Sequence, residues 1–189
     1  MLLYDIIIIG AGPAGASAGI FAGRAKKKVL ILDNDKSGTK KAWVENHYAV
    51  MGITGYDVFE TGKKQAEKAG AEIKLTEATQ ITKNETSFSV ETNDGATYEA
   101  NYIILATGAS KKLANQLGVN MKPISDESKV TIIDADQDGK TNIEGVWAAG
   151  IVTGKSMHVA VTAGDGAKVA IHLLTEVNGK EYVDQDMMC

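Results

Sequence analysis

The chain has 189 residues, 44% of them hydrophobic, which suffices for one domain with an apolar core. Its formal net charge of −4 provides no basic field for nucleic acid. No apolar run reaches the roughly 18 residues that a membrane span needs. We therefore expect a single domain over residues 1–189 that binds neither nucleic acid nor membrane. The first apolar stretch is interpreted as a strand rather than a cleaved leader, which predicts a cytoplasmic location.

The N-terminal segment carries a glycine pattern in a specific context. An apolar strand at residues 4–9 runs directly into Gly10, Gly12 and Gly15, spaced as G-x-G-x-x-G, and a helix follows at 13–24. The first glycine permits a tight turn, the second lets backbone amides approach a pyrophosphate, and the third lets the helix pack close to the strand. The pattern predicts a dinucleotide site, with a tight turn that holds no ligand as the alternative.

A second buried strand supports this interpretation. Residues 29–32 read Val-Leu-Ile-Leu and end at Asp33. A carboxylate at the end of this strand can accept hydrogen bonds from both ribose hydroxyls of an adenosine, and it would repel a phosphorylated ribose.

The remaining elements alternate between helical and β patterns. A helix is predicted from Tyr56 to Ala69, with Gly70 as its end. The predicted strands and the last helix cover residues 71–75, 80–82, 87–92, 97–102, 102–108, 130–133, 145–150 and, as helix, 157–175. The Asn-Asp-Gly turn at 93–95 is a strong hairpin signal. This order predicts an α/β fold, in which a three-stranded meander is laid over a central parallel sheet with flanking helices.

Two further features of the sequence, an acidic segment and a single cysteine, predict no binding site. Asp134, Asp136 and Asp138 match the start of a calcium loop, but the position of the bidentate acid is Gly145. We read this segment as an acidic turn and predict no metal site. Cys189 is the only cysteine, so an internal disulfide is excluded, and we interpret it as an incidental thiol in a polar tail.

Five motifs together carry a family resemblance. In chain order they are Gly10-x-Gly12-x-x-Gly15, Asp33-x-x-x-x-Gly38, Val44-Glu45-Asn46, Ala106-Thr107-Gly108 and the segment from Gly145 to Gly166. This set resembles the FAD domain of thioredoxin-reductase-like pyridine nucleotide disulfide oxidoreductases over nearly the whole chain. The resemblance implies a Rossmann-like FAD-binding fold and implies FAD rather than NAD. It also implies that the cofactor-binding residues are Gly10, Gly12, Pro13, Ala14, Gly15, Asp33, Asn34, Asn46, Ala78, Ala106, Thr107, Gly108, Gly150, Ile151, His158 and Val159.

Two departures from the family pattern affect the expected function. The family carries an inserted NADPH domain with its own glycine-rich loop and a Cys-x-x-Cys pair, whereas here only about forty residues join Gly108 to Gly150, with neither feature. The family aspartate that contacts the ribityl and phosphate region is replaced by Ile151. Loss of that charge-assisted bond costs about 1.5–3 kcal/mol. The outcomes are weaker binding, another ribityl conformation, help from Thr153 or Lys155, or loss of FAD.

Three side chains near the expected flavin have alternative interpretations. The resemblance places His158 and Val159 at the flavin O2, where a protonated His158 would stabilise reduced flavin. The alternative is a half-buried helix-start histidine that uses only its backbone. Trp43 either covers a flavin face or is a core or interface residue. Asn46 is implied as a flavin or ribityl contact, although the preceding loop is shorter than in the family.

Two classes of function follow. We favour an oxidoreductase component that passes electrons between external NAD(P)H, or a partner reductase, and an unknown acceptor, because the flavin-facing helix is retained. The alternative is a non-catalytic FAD-binding module or a subunit of a larger flavoprotein complex, because a nicotinamide site is missing. No catalytic residue is assigned beyond His158 as a tuning group. Apolar side chains between residues 40 and 60 predict a homodimer contact or a flavin cover.

Overall fold

The glycine pattern lies between the first strand and the first helix, as predicted. A computed structural model describes residues 3–184, with β1 at Leu3–Ile9, α1 at Pro13–Arg24 and β2 at Val29–Asp33. The helix matches its predicted bounds because Pro13 occupies its first turn, where a missing N–H costs nothing. The interpretation of Cys189 concerns a residue outside the described range.

The later elements complete a mixed α/β domain. They are β3 (Trp43–Val44), β4 (Ile53–Thr54), α2 (Gly55–Ala69), β5 (Glu72–Leu75), β6 (Ala78–Lys83), β7 (Phe88–Thr92), β8 (Thr97–Leu105), α3 (Lys112–Leu117), β9 (Met121–Pro123), β10 (Thr131–Ile133), β11 (Val146–Ala148) and α4 (Val159–Asn178). Two single turns of 3-10 helix, at Gly38–Lys41 and Gly150–Thr153, link them. Within residues 3–184, every helix is too short or too polar to span a lipid bilayer.

One seven-stranded sheet organises the domain. Its order is β5-β2-β1-β8-β7-β6, and β11 also pairs with β8. The pairs β1–β2, β1–β8, β2–β5 and β8–β11 are parallel, and β6–β7 and β7–β8 are antiparallel. This is the Rossmann-like α/β arrangement with a meander that the sequence predicted.

The junction between meander and parallel sheet differs from the prediction. The strands predicted at 97–102 and 102–108 are one continuous strand, β8. Its residues Thr97 to Ala100 pair with β7, while Ile103 to Leu105 pair with β11. The meander therefore shares a strand with the parallel sheet and is not a separate layer laid over it. The prediction was wrong because one edge of β8 changes its partner halfway along, a feature that side-chain periodicity does not encode.

Both faces of the central strands are buried, which explains their unbroken apolar sequences. Ile7, Leu30 and Ile103 point to one side of the sheet and share an apolar cluster with side chains of β6, β7 and α3. Ile8 and Ile31 point to the other side, where they meet α1, α2 and α4. The helix α1 lies between α2 and α4, and its small residues permit this close packing.

The helix ends follow from local capping. Thr54 accepts a hydrogen bond from the Asp57 N–H at 3.1 Å, so α2 begins at Gly55, one residue before the prediction. It ends at Gly70, as predicted, in a left-handed conformation with φ of 109°. The helix α4 begins at Val159, two residues later than predicted, because His158 has an extended backbone and is the N-cap.

The acidic segment after β10 forms a turn around one carboxylate. Asp136 Oδ1 accepts hydrogen bonds from the N–H groups of Asp138 and Lys140, both at 2.9 Å. Asp134 pairs with Lys122 at 2.8 Å, and Asp138 lies 3.4 Å from His172. These carboxylates therefore bind groups of the chain itself.

Candidate functional site

The carboxyl ends of the central strands meet at one edge of the sheet. The Gly10 N–H donates to the Leu32 carbonyl at 2.8 Å, and the Ala106 N–H donates to the Ile9 carbonyl at 3.0 Å. The Ala149 N–H donates to the Leu105 carbonyl, also at 3.0 Å. Open α/β sheets bind their ligands at this edge. The fold therefore brings the glycine turn, the end of β2 and the segments after β8 and β11 into one neighbourhood.

Gly10 and Gly15 are required by geometry alone. Gly10 has φ of 104°, and a Cβ there would lie 2.5 Å from the Ala106 carbonyl oxygen. A Cβ on Gly15 would lie 1.8 Å from the Gly10 carbonyl oxygen. These distances are below van der Waals contact, so the turn and the strand-to-helix packing both depend on the absence of side chains. This agrees with the two structural roles that the sequence predicted.

Gly12 has a different environment. Its φ of −63° is ordinary, and a Cβ there would meet only the Ser37 Oγ, at 3.4 Å. Gly12 is the N-cap of α1, and no side chain caps this helix. The first-turn amides are therefore open to an anion at the positive end of the helix dipole. The residue is not needed for packing, which leaves close approach of a ligand as its reason.

Gly12→Ala is expected to separate binding from stability. The backbone conformation suits alanine, so the free energy of unfolding should change by less than about 1 kcal/mol. The added methyl group would occupy the space that a pyrophosphate needs, and FAD affinity should fall by about tenfold or more. Urea unfolding and flavin fluorescence titration measure the two effects. Gly38→Ala is the control, because a Cβ there has no neighbour within 4 Å. Equal FAD affinity of both variants would contradict the assignment.

Asp33 ends β2 as a buried carboxylate. It is 2% exposed, and its Oδ1 accepts a hydrogen bond from the Asp35 N–H at 3.0 Å. Within residues 3–184, its Oδ2 is the buried side-chain polar atom without a hydrogen-bond partner. The Lys63 ammonium lies 3.3 Å from this oxygen, at ion-pair distance. An unsatisfied buried acceptor is costly, and ribose hydroxyls are donors of the kind that would satisfy it.

Lys63 was not among the sequence-predicted residues. It lies on α2, four residues after the buried Phe59, and therefore shares the inward face of the helix. That spacing was the available signal, but the partner Asp33 lies thirty positions earlier in the sequence, and only the fold brings them together.

The other predicted residues near Asp33 differ from it in burial and in the element that carries them. Asn34 is exposed, and its Oδ1 accepts a hydrogen bond from the Lys36 N–H at 3.2 Å. Ala78 begins β6, and the neighbouring Thr76 N–H donates to the Asp33 carbonyl at 2.9 Å, which holds this segment beside β2. Asn46 is exposed in the loop after β3, and none of the contacts that tie the glycine turn to the strand ends involves it.

The segment after β11 reaches the start of α1. A Cβ on Gly150 would lie 2.9 Å from the Cβ of Ala14, so the turn that begins at Gly150 borders the helix N-terminus. The Gly150 N–H donates to the Oδ2 of Asp165 at 2.8 Å. Asp165 is 8% exposed and fixes this turn from α4. Its role was missed, because nothing in the sequence near Gly164 and Gly166 indicates that the residue between them binds a distant amide.

Ile151 is 38% exposed and directly follows Gly150. It therefore presents an apolar side chain to solvent where the resemblance implied a carboxylate.

The helix α4 starts with an exposed histidine and a buried valine. His158 Nδ1 lies 2.5 Å from the Ser156 Oγ, and its carbonyl accepts from the Thr162 N–H at 3.0 Å. The predicted half-buried alternative for His158 is wrong, because the side chain is exposed. Val159 is 8% exposed.

After β8, Thr107 Oγ1 donates to the Ser110 carbonyl at 2.6 Å and closes the turn that contains Gly108.

Trp43 is 62% exposed, so the interpretation as a core residue is wrong. It lies with exposed Tyr48, Met51 and Tyr56 in one segment, which we call the 43–56 surface. Covering a flavin face and forming an interface both remain consistent with this exposure.

A cavity lies at the opposite edge of the sheet from the glycine turn. It has a volume of about 480 Å³, and its charged lining residues are four carboxylates and two lysines: Asp5, Glu85, Glu144 and, near the end of α4, Glu176, with Lys27 and Lys83. Helix C-termini carry partial negative charge and repel phosphates. The carboxylates outnumber the lysines at the rim and add to that repulsion, so this cavity suits an anionic dinucleotide less well than the glycine edge does.

Comparison with known proteins finds one family model and several relatives that match this chain. A family model described as pyridine nucleotide-disulphide oxidoreductase matches residues 4–131 and 43–167. The thioredoxin reductase of Treponema pallidum (strain Nichols) is 40% identical over 114 residues, which cover 58% of this chain and 36% of that protein. The thioredoxin reductase of Aquifex aeolicus (strain VF5) is 36% identical over 116 residues, covering 58% and 35%. The match thus spans about a third of these relatives.

Solved structures show the same fold at low sequence identity. A thioredoxin reductase from Gloeobacter violaceus superposes with a TM-score of 0.86 and 16% identity, covering 100% of both chains. A ferredoxin-flavin thioredoxin reductase from Clostridium acetobutylicum gives a TM-score of 0.76 and 21% identity, covering 95% of this chain and 99% of that one. The family match and the relatives indicate FAD as the cofactor. The uncapped α1 amides and the unsatisfied Asp33 oxygen fit its pyrophosphate and adenosine ribose.

Proposed function

This chain belongs to the pyridine nucleotide-disulphide oxidoreductase family, and from that premise we propose that it is an FAD-dependent oxidoreductase component. It passes electrons between external NAD(P)H, or a partner reductase, and an acceptor. The single observation that carries the FAD site is the buried Asp33 Oδ2, which lacks a hydrogen-bond donor at the strand edge where dinucleotides bind.

Different residues of the chain would bind different parts of the cofactor. Gly12 and the first turn of α1 hold the pyrophosphate, and Asp33 accepts hydrogen bonds from the adenosine ribose. The segments at Gly108 and Gly150 would hold the flavin half, and the N-terminal amides of α4 would supply hydrogen-bond donors to it. FAD, when bound, supplies hydride and electron transfer. The amides at the start of α4, together with His158 when protonated, stabilise negative charge at this end of the site.

The electron donor is external in this proposal. Between Gly108 and Gly150 the structure describes α3, β9, β10, β11 and connecting turns. None of these described elements forms a second strand, glycine turn and helix unit that would hold a nicotinamide cofactor. The same observation favours a second candidate, a non-catalytic FAD-binding module or a subunit of a larger flavoprotein complex.

An absorbance experiment distinguishes the two candidates. The purified chain is loaded with FAD, freed of excess cofactor, and recorded from 300 to 600 nm under anaerobic conditions before and after NADH and then NADPH. Bleaching of the flavin band supports the oxidoreductase component. A persistent band that bleaches only with an added flavin reductase supports a partner-dependent subunit. A chain that retains no FAD overturns both candidates.

Ile151→Asp is expected to tighten FAD binding. The family carries aspartate at this position, and one charge-assisted hydrogen bond contributes about 1.5–3 kcal/mol, or roughly 10- to 150-fold in affinity. Ile151 is exposed, so the substitution removes little packing. Ile151→Leu is the control, since it keeps the apolar character. Flavin fluorescence titration measures both dissociation constants, and no gain for the aspartate variant would show that the site binds the ribityl region differently.

We also propose that the chain forms a homodimer through the 43–56 surface. Exposed Trp43, Tyr48 and Met51 form more apolar surface than an isolated loop ordinarily shows. Light scattering after gel filtration measures the mass of the wild type and of Trp43→Ser. A monomeric wild type would leave the flavin cover as the remaining interpretation of Trp43.

A further inference from the structure

The contact between Lys63 and Asp33 has a consequence for cofactor binding. Asp33 is 2% exposed, so its carboxylate has little contact with water and depends on groups of the chain for compensation. Lys63 supplies a compensating charge at 3.3 Å from Oδ2. A single ammonium at this distance does not saturate Oδ2, so a lone pair of this oxygen stays open to another donor.

Three contacts hold the Lys63 ammonium in place. Besides Asp33, it lies 3.5 Å from the Glu60 carboxylate and 4.9 Å from the centre of the Phe59 ring. Phe59 is 2% exposed, which fixes the ring and therefore the path of the lysine stem. Burial lowers the pKa of Lys63, but the charges of Asp33 and Glu60 outweigh it, so the pKa lies above its ordinary value. The ammonium is therefore charged at neutral pH.

A second lysine, Lys40 in the 3-10 turn at Gly38–Lys41, also lies near Phe59. Lys40 lies 5.3 Å from the centre of the Phe59 ring and forms an ion pair with Asp35 at 2.7 Å. Asp35 in turn donates its backbone N–H to Asp33 Oδ1. Oδ1 of Asp33 therefore accepts a backbone hydrogen bond, whereas Oδ2 lies beside the Lys63 ammonium and keeps a lone pair for a further donor.

We propose that Lys63 is the positioning residue of the adenosine end of the site: it fixes the Asp33 carboxylate with Oδ2 directed to accept from the ribose. This inference rests on the proposed FAD site and goes beyond it, since it assigns a residue of α2 to cofactor affinity. Lys63 stays paired with Asp33 when the nucleotide is bound.

The test compares ligands with and without adenosine. Lys63→Met removes the ammonium and should weaken FAD binding by about tenfold or more, since a buried charge loses its partner. FMN carries the flavin without adenosine, so its affinity should stay within about twofold of wild type. Lys63→Arg restores the charge and should recover most of the FAD affinity. Lys64→Met is the matched control, because Lys64 is the next residue of α2 and is exposed. Flavin fluorescence titration gives every dissociation constant.

The outcomes separate this inference from the FAD site itself. A wild type that binds no FAD overturns both. A wild type that binds FAD, with Lys63→Met unchanged, overturns only the role of Lys63. Equal weakening of FAD and FMN also overturns it, because a general structural defect would affect both ligands.

A second measurement needs no substitution. Lysines of the wild type are acetylated briefly with and without saturating ADP, which carries the adenosine and two phosphates, and each site is quantified by mass spectrometry. Lys63 should react less than Lys64 without ADP and be further protected with it. Increased reactivity of Lys63 in the presence of ADP would overturn the inference, since the nucleotide would then displace the ammonium.

Discussion

Gly166→Ala is expected to destabilise the chain by about 3 kcal/mol or more, because the change overpacks a backbone contact. A Cβ on Gly166 would lie 2.0 Å from the Ala14 carbonyl oxygen and 2.7 Å from its carbonyl carbon. Ala14 belongs to the first turn of α1, so the two helices would have to separate. Relief by a side-chain rotation is excluded, because both clashing atoms are backbone atoms.

Gly164→Ala is the matched control in the same helix. Gly164 is exposed, and a Cβ there has no neighbour within 4 Å. Alanine is a better helix former, so this variant should gain about 0.5–1 kcal/mol. Urea unfolding of the three proteins measures the difference. If both variants shift the unfolding midpoint in the same direction, the close packing of α1 against α4 does not depend on glycine at position 166.

The contrast between these two glycines shows what the sequence can specify. The segment from Gly145 to Gly166 was part of the family resemblance, but its sequence did not distinguish a packing glycine at position 166 from a dispensable one at position 164. That distinction depends on which helix face meets α1, and α1 lies some 150 residues earlier in the chain. The bounds of α1, by contrast, were predicted well, because Pro13 and the glycine pattern are local signals.

The candidate site divides in the same way. The strand ends, the glycine turn and Asp33 were predictable, because parallel strands place their carboxyl ends at one edge. Lys63 and Asp165 were not predicted. Each acts on a group distant in sequence, Asp33 and the Gly150 N–H respectively, and pairing of this kind arises only from the tertiary fold. The exposure of Trp43 was also unpredictable, since an aromatic residue in a short strand is equally suited to a core.

Asp33→Asn should weaken FAD binding by about 100-fold. The carboxylate offers acceptor sites on two oxygens, one of which the Asp35 N–H occupies. The amide keeps a single acceptor oxygen, removes the charge and places donor hydrogens where ribose hydroxyls also donate. Loss of charge-assisted bonds costs about 1.5–3 kcal/mol each, and two such bonds correspond to a factor of about 100 or more.

Asp35→Asn is the control, because it removes a negative charge two residues away from Asp33. Asp35 has φ of 58°, a conformation that asparagine tolerates, and its backbone N–H to Asp33 is retained. Its FAD affinity should stay within about threefold of wild type, because its ion pair with Lys40 is exposed. FMN should bind all three proteins alike. A dissociation constant for Asp33→Asn that matches the Asp35→Asn value would mean that the ribose lies elsewhere, and the unsatisfied Oδ2 would then need another donor.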